Sequence, residues 1–241
     1  MDRRTFSKYT TLGIGGTLLP SLGFGQSYSF NEIIGKTTPA LFGEGYQLRK
    51  EAHEAYSEMS SEASKAGIEL FSVSSYRSFL DQKRIWDGKF ERFTKQGLSP
   101  IDTVYKIIEY STIPGTSRHH WGTDIDIIDG SKNVAGDRLL APLFHNDGPY
   151  VDLKNWLNEN ASVYDFLEVY SNDPDRKGFK YEPWHFSYAP IGKKILKSYT
   201  EIDFEAFLGG LDILGSSNFT EAFIQSYWDE NMLDINPRLV P

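Results

Sequence analysis

Gly115-Thr116-Ser117-Arg118-His119-His120-Trp121-Gly122-Thr123-Asp124-Ile125-Asp126-Ile127-Ile128 is the stretch around which the rest of the chain is organised. Two adjacent histidines are followed by a glycine and then by two aspartates alternating with isoleucines. In an extended chain alternate residues share a face. After Gly122, therefore, Thr123, Ile125 and Ile127 are expected to point toward a core, and Asp124 and Asp126 the other way. Neutral imidazole and carboxylate are the ligands a catalytic zinc takes when thiolate is absent, and the chain has no cysteine. Downstream, Glu182-Pro183-Trp184-His185 offers one more carboxylate and one more imidazole. Pro183 cannot donate to a strand ladder and forces an extended residue before it, so a bend is expected there. Such a bend would let Glu182 and His185, three residues apart, reach one site. Two imidazoles and a carboxylate can hold a metal while a second carboxylate takes a proton from water. The plainer alternative is a solvated strand face carrying the aspartates beside a polar loop carrying the histidines.

The chain has 241 residues, with 39% hydrophobic and 24% charged side chains, the composition of an ordinary globular protein. Its net charge of −8 argues against nucleic acid as a partner. The N-terminus begins Asp2-Arg3-Arg4-Thr5-Phe6-Ser7-Lys8 and continues through a weakly apolar, glycine-rich run to Gly25. A basic start, an apolar run and a small-residue exit make a signal peptide over 1–25. The paired arginines resemble a bacterial twin-arginine export signal, which implies a periplasmic protein. Pro20 and the interior glycines make this segment too short and broken to span a membrane, so no anchor is expected after its removal.

Between these landmarks the spacing predicts a helix from Gln47 to Lys65 on Leu48, Ala52, Ala55, Met59 and Ala63, ended by Gly67. A strand is predicted from Ile68 to Ser74. Ser78 with Asp81 reads as a capped start of a helix carrying Phe79, Gln82, Trp86, Phe90 and Phe93 on one side. Arg77 then sits at a strand-to-helix junction, able to share a cleft with Gln82. Ser99-Pro100 starts a further helix with Ile101, Val104, Tyr105 and Ile108 as its apolar side. Leu139 to Pro149 reads as a loop, and Asp152 as the cap of a helix. Strands are predicted at Phe166–Tyr170 and Trp184–Tyr188, and a helix at Gly192–Tyr199. Strands and helices mix without regular alternation, so the class is α+β. The domain is expected to run over 26–200, with 201–241 a helical extension packed on it. His53 and His145 stand outside any motif and are read as structural or solvated.

Ser117-x-His119-x6-Asp126, Glu182-x-Trp184-His185 and an upstream Ser74-x-Tyr76-Arg77-Ser78-x3-Gln82 together resemble the zinc D-alanyl-D-alanine carboxypeptidases and dipeptidases. That group includes the vancomycin-resistance peptidases and shares its fold with the hedgehog signalling domain. The resemblance covers roughly 45–200. It implies a small central antiparallel sheet flanked by helices, and a monomer that trims peptidoglycan stem peptides. By position it implies His119, Asp126 and His185 as Zn2+ ligands, Glu182 as general base and Arg77 as the stabiliser of the oxyanion. It makes Ser117 and Gln82 substrate contacts and Trp184 a pocket wall. Asp124 departs from the family's alanine: it either orients a ligand histidine or competes for the metal. His120 is a rival to His119, set aside because the seven-residue separation of His119 and Asp126 matches the family. Other activities on the same framework are a peptidoglycan endopeptidase or an L,D-carboxypeptidase. A zinc-stabilised cell-wall-binding module without turnover is the alternative of another class, against which intact Glu182 and Arg77 argue.

Overall fold

The computed structural model describes residues 28–241, so the export signal read at 1–25 lies outside the described residues. A one-turn helix, α1 (Phe30–Ile33), is capped by Ser29. Next comes α2 (Lys50–Lys65), which buries Ala52, Tyr56, Met59 and Ala63 at four- and three-residue spacing. It starts later than predicted because Leu48 pairs with Phe42 in a short β-bridge. Arg49, extended at the cap position, is drawn away to donate to the Trp121 carbonyl at 2.6 Å and to Glu32. Strand β1 (Leu70–Ser74) is also shorter than read from the sequence, since the Ile68 N–H closes the end of α2 by donating to Ala63.

Ser78 caps α3 (Phe79–Lys95), and Asp81 completes a reciprocal capping box; Gln82 and Trp86 form its buried side. Ser99 caps α4 (Pro100–Ile107), with proline in the first turn. Here the predicted apolar face shifts: Thr103, Val104 and Ile107 are buried, while Tyr105 is half exposed. A 3₁₀ turn over Arg118–Trp121 leads into β2 (Asp124–Asp129). The segment expected to be a loop holds a second 3₁₀ turn, Ala141–Phe144, anchored by fully buried Phe144. Helix α5 (Val151–Asn160) has Tyr150 at the cap position, so Asp152 is a first-turn acid rather than the cap. Strands β3 (Phe166–Glu168) and β4 (His185–Tyr188) follow, and then α6 (Ala189–Tyr199), α7 (Phe204–Gly209) and α8 (Glu221–Tyr227).

The four strands form one antiparallel sheet in the order β1-β2-β4-β3. β2 lies at its centre and is buried along its whole length. On one side Ile125, Ile127 and Phe186 pack with α2, α5 and Phe166. On the other, Trp86, Val104, Ile107 and Trp121 pack with α6 and with the tail residues Phe204, Leu208, Phe223, Tyr227 and Leu239. The fold is therefore the small antiparallel sheet flanked by helices that the motifs implied.

The tail also reaches the loop that precedes the first 3₁₀ turn. The Tyr227 hydroxyl accepts from the Ile113 N–H at 3.1 Å and bonds to Thr116 Oγ1 at 2.8 Å. Thr116 Oγ1 already donates to the Ile113 carbonyl, so Tyr227 donates to Thr116. Tyr199 donates to the Gly115 carbonyl at 2.7 Å. Replacing Tyr227 by Phe leaves a buried N–H without a partner. It is expected to lower stability by about 1–3 kcal/mol, read as a lower urea midpoint at unchanged m-value; an unshifted midpoint would count against this tie.

Candidate metal centre and catalytic cleft

The two histidines of the central stretch face opposite ways, because the backbone between Ser117 and Gly122 is a tight turn. Ser117 caps it by accepting from the His119 N–H. Gly122 ends it at φ 66°, a left-handed conformation that disfavours a side chain. A Cβ there would also stand 3.0 Å from Leu41 Cδ2. His120 Nε2 accepts from the Gly115 N–H at 3.1 Å, so its Nδ1 carries the proton given to the Arg77 carbonyl at 2.6 Å. Both ring nitrogens are consumed, and burial holds this imidazole down at about 4, neutral. His120 is thus a structural brace, and its rivalry with His119 ends there.

His119 bonds through Nδ1 to the Ser75 carbonyl at 2.8 Å. A carbonyl only accepts, so Nδ1 is protonated and Nε2 presents a lone pair, 3.5 Å from Asp126 Oδ2. Burial, then the charges of Arg77 and His185, push its pKa well below the usual value. The sheet register sets Asp126 directly opposite His185, and His185 Nδ1 lies 3.7 Å from Asp126 Oδ1. The bend at Pro183 brings Glu182 Oε2 to 3.1 Å from the same Nδ1. One ligand atom from each of His119, Asp126 and His185 lies within 4.8 Å of the others.

Asp124 occupies the other side of His185. Its Oδ2 accepts from His185 Nε2 at 3.2 Å and from Arg118 Nε at 2.8 Å. Its Oδ1 accepts from Ser187 at 2.5 Å and Thr123 at 2.9 Å. Arg118 also donates to Ser187 and lies over the Trp121 ring. Burial opposes the charge on Asp124, but Arg118, His185 and Ser187 outweigh it and hold the carboxyl below its usual range. Asp124 therefore orients a histidine and has no lone pair to spare for competing. A histidine gripped from outside by a carboxylate turns its remaining nitrogen toward the centre.

The inner carboxylate is in the opposite condition. Asp126 Oδ1 is buried and has no hydrogen-bond partner among the described residues. Burial, with the nearby Glu182 and Asp124 charges, raises Asp126 to about 7 despite His185 and Arg77. Burial alone would lower His185, yet its bonds to Asp124 and Glu182 raise it to about 10. Protons on Asp126 and on His185 Nδ1 thus neutralise a place that a cation would fill. Two inward nitrogens and an unsatisfied buried carboxylate fit Zn2+ by donor type and number.

A cavity of about 550 Å³ opens onto this group. Ser117, Trp184, Glu182 and Arg77 line it, together with Leu139 to Pro142 and with Ile85, Lys89 and Arg92 of α3. Arg77 is held by Gln82 Oε1 at 2.7 Å and Ser74 Oγ at 2.8 Å. Gln82 in turn donates to the Thr112 carbonyl at 2.7 Å and is fully buried. It does not line the cavity, which corrects its expected role as a substrate contact: its amide oxygen accepts from Arg77 and its amide nitrogen anchors it to Thr112. His53 and His145 each bond to a tyrosine, Tyr46 and Tyr181, and neither belongs to the group of possible metal ligands. The sequence reasoning missed Arg118, Ser187, Ser75 and Lys89. Ser187 could have been found from the register, which sets it opposite Asp124.

A family model described as VanY, D-alanyl-D-alanine carboxypeptidase, matches residues 45–191. YodJ of Bacillus subtilis, provisionally named a carboxypeptidase, is 34% identical over 73% of this chain and 55% of its own length. A D-alanyl-D-alanine carboxypeptidase of Enterococcus faecalis is 28% identical over 52% of this chain and 42% of its own. The chain thus spans about half the length of these curated relatives. Among solved structures, VanYB in complex with D-alanine-D-alanine is similar at TM-score 0.52 and 21% identity, over 73% of this chain and 92% of that one; this likeness concerns the fold. The LdcB LD-carboxypeptidase is similar at TM-score 0.50 and 27% identity, over 82% of this chain and 81% of that one.

Two outcomes are expected. Asp126 and His185 both have folded-state pKa values raised above their unfolded ones, so each stabilises the metal-free protein below its unfolded pKa and stops doing so above its folded one. For Asp126 the loss runs from about 4 to about 7, and for His185 from about 6.5 to about 10. Thermal unfolding of chelator-treated protein should show its midpoint falling as pH rises through that window. Zinc, which competes with those protons, should protect more at each step; protection that shrinks with rising pH would refute the ligand set. Second, Asp124→Ala leaves the Arg118 guanidinium buried without its carboxylate and should cost about 3–5 kcal/mol. The Arg118→Met/Asp124→Ala double variant should recover part of that, and a strictly additive double variant would show the two to be uncoupled.

Proposed function

Because the chain belongs to the VanY D-alanyl-D-alanine carboxypeptidase family, we propose that it is a zinc-dependent carboxypeptidase removing the terminal D-alanine of peptidoglycan stem peptides. The observation that carries this reading is the meeting of His119 Nε2, Asp126 and His185 Nδ1, with Glu182 and Arg77 on the wall of the same cavity. In this reading His119, Asp126 and His185 hold the Zn2+. A zinc ion so held supplies Lewis acidity, polarising a carbonyl and acidifying water. Glu182 is the general base: it takes the proton of the attacking water and passes it to the leaving amine. Arg77 meets the negative charge that develops on the scissile oxygen, and Gln82 and Ser74 keep it in place before substrate arrives. Ser117 and Trp184 bound the substrate, Trp184 as an apolar part of the lining.

The organisation that accompanies this reading is an export signal at 1–25, a peptidase domain at 26–200 and an extension at 201–241. Peptidoglycan lies outside the cytoplasm, so the site of action is the periplasm, reached through the twin-arginine signal. A second reading, L,D-carboxypeptidase activity, is favoured by the likeness to the LdcB LD-carboxypeptidase. Mass spectrometry of products from defined muropeptides separates the two readings, and also an endopeptidase, by the bond that is cut. Glu182→Ala should keep stoichiometric zinc by metal analysis while hydrolysis falls about 10²- to 10⁴-fold. Retained full activity in that variant would sink the mechanism, and retained stoichiometric zinc in His185→Ala would sink the ligand set.

A further inference from the structure

Helix α3 carries five cations, and the structure divides them by where they point. Lys83 pairs with Asp87 at 2.6 Å, Arg84 with Asp81, and Lys95 with Glu91 at 3.9 Å. These are ordinary surface pairs three or four residues apart. Lys89 and Arg92 are the two that line the catalytic cavity. Neither has a carboxylate within salt-bridge distance among the described residues. Lys89 donates to Ser111 Oγ, itself a buried lining residue, and Arg92 lies beside the Phe93 ring. The other two cations of the cavity are committed: Arg77 is held by Gln82 and Ser74, and Arg118 is neutralised by Asp124. Lys89 and Arg92, the cavity cations with neither an acidic nor an amide partner among the described residues, thus both come from α3.

We propose that Lys89, assisted by Arg92 at the rim, is a receptor for a carboxylate of the substrate, which seats the peptide in one direction across the catalytic group. An ammonium kept partly out of water without an anionic partner is a poor arrangement for the free protein and a good one for a complex. Burial depresses the basicity of Lys89, the Arg92 and Arg77 charges add to this, and Glu182 and Asp137 oppose it; an arriving carboxylate removes that penalty. Two substrate groups have this chemistry. One is the free α-carboxylate at the peptide's end, which only a carboxypeptidase substrate carries. The other is the carboxylate of an acidic residue further up the stem peptide. The inference rests on the peptidase reading, since it places a peptide in this cavity.

The test uses the zinc-loaded full chain and three peptides. These are a stem peptide ending in free D-alanine, its C-terminal amide, and the free acid with the internal acidic residue converted to its amide. Lys89→Met should lower kcat/KM for the free acid about 10- to 100-fold, mainly through KM, and erase that much of the acid-over-amide preference. Lys89→Arg, which keeps the charge, should retain most of the preference and controls for damage to the fold. A loss confined to the C-terminal comparison assigns the terminal carboxylate; a loss confined to the internal comparison assigns the acidic residue. If Lys89→Met preserves both preferences, the receptor is refuted. Calorimetry on Glu182→Ala protein, with and without Lys89→Met, measures the same acid-over-amide difference as binding. Should the wild type cut none of the peptides, the peptidase reading fails, while this binding comparison still decides the receptor.

Discussion

The cross-strand pairing of Asp126 with His185 is the constraint on which the rest of the molecule depends. Residues directly opposite in an antiparallel pair share a face, so one register places a carboxylate from β2 and an imidazole from β4 together. The neighbouring pair, Asp124 and Ser187, falls on the same face by the same rule. Ile125 and Phe186 take the other face, in the apolar layer over α2 and α5. A slip of one residue would bury aspartates among isoleucines and carry the hydrophobic set into the cleft. The hydrophobic effect that holds the sheet therefore also aligns its polar chemistry.

Two aspartates two residues apart live under opposite electrostatic conditions. Asp124 accepts from four side-chain donors and is matched by a buried guanidinium. Asp126 has an oxygen with no donor among the described residues. Environments that push paired titratable groups apart mark a division of labour, here between a carboxylate that holds a histidine and one with a buried oxygen left unpaired among the described residues. The family's usual alanine at position 124 would bring no charge with it. This chain places a charge there and balances it with Arg118, so the outer support of His185 is ionic.

Much of this was legible in the sequence, and the reasons are local. Ser78-Asp81 and Ser99-Pro100 are capping signals whose physics acts over one turn, and both helices start where those residues say. The alternation after Gly122 showed which way Asp124 and Asp126 point, because a strand has a period of two. What stayed hidden depends on long-range partners. Leu48 continued a helical pattern but is held by a bridge to Phe42, and Ile68 fitted a strand but closes α2. Gln82 looked like a cleft residue because it lies about one turn into the helix that Arg77 precedes. Only the folded chain shows that the Thr112 carbonyl and the Arg77 guanidinium use up both ends of its amide. Arg118 gave no signal, since an arginine beside a histidine is common and its carboxylate lies six residues on, across a turn.

The hydroxyl of Tyr227 ties the loop before the Arg118–Trp121 turn to α8. A polypeptide emerges from its N-terminus, and its domains fold as units as they become complete. Ile113 and Thr116 lie 114 and 111 residues before Tyr227 and are made long before it. During synthesis the loop therefore waits for this partner, and the turn that follows it is secured only after α8 has been made. The order of translation thus works as a timer, deferring this tie until the helix that supplies it exists.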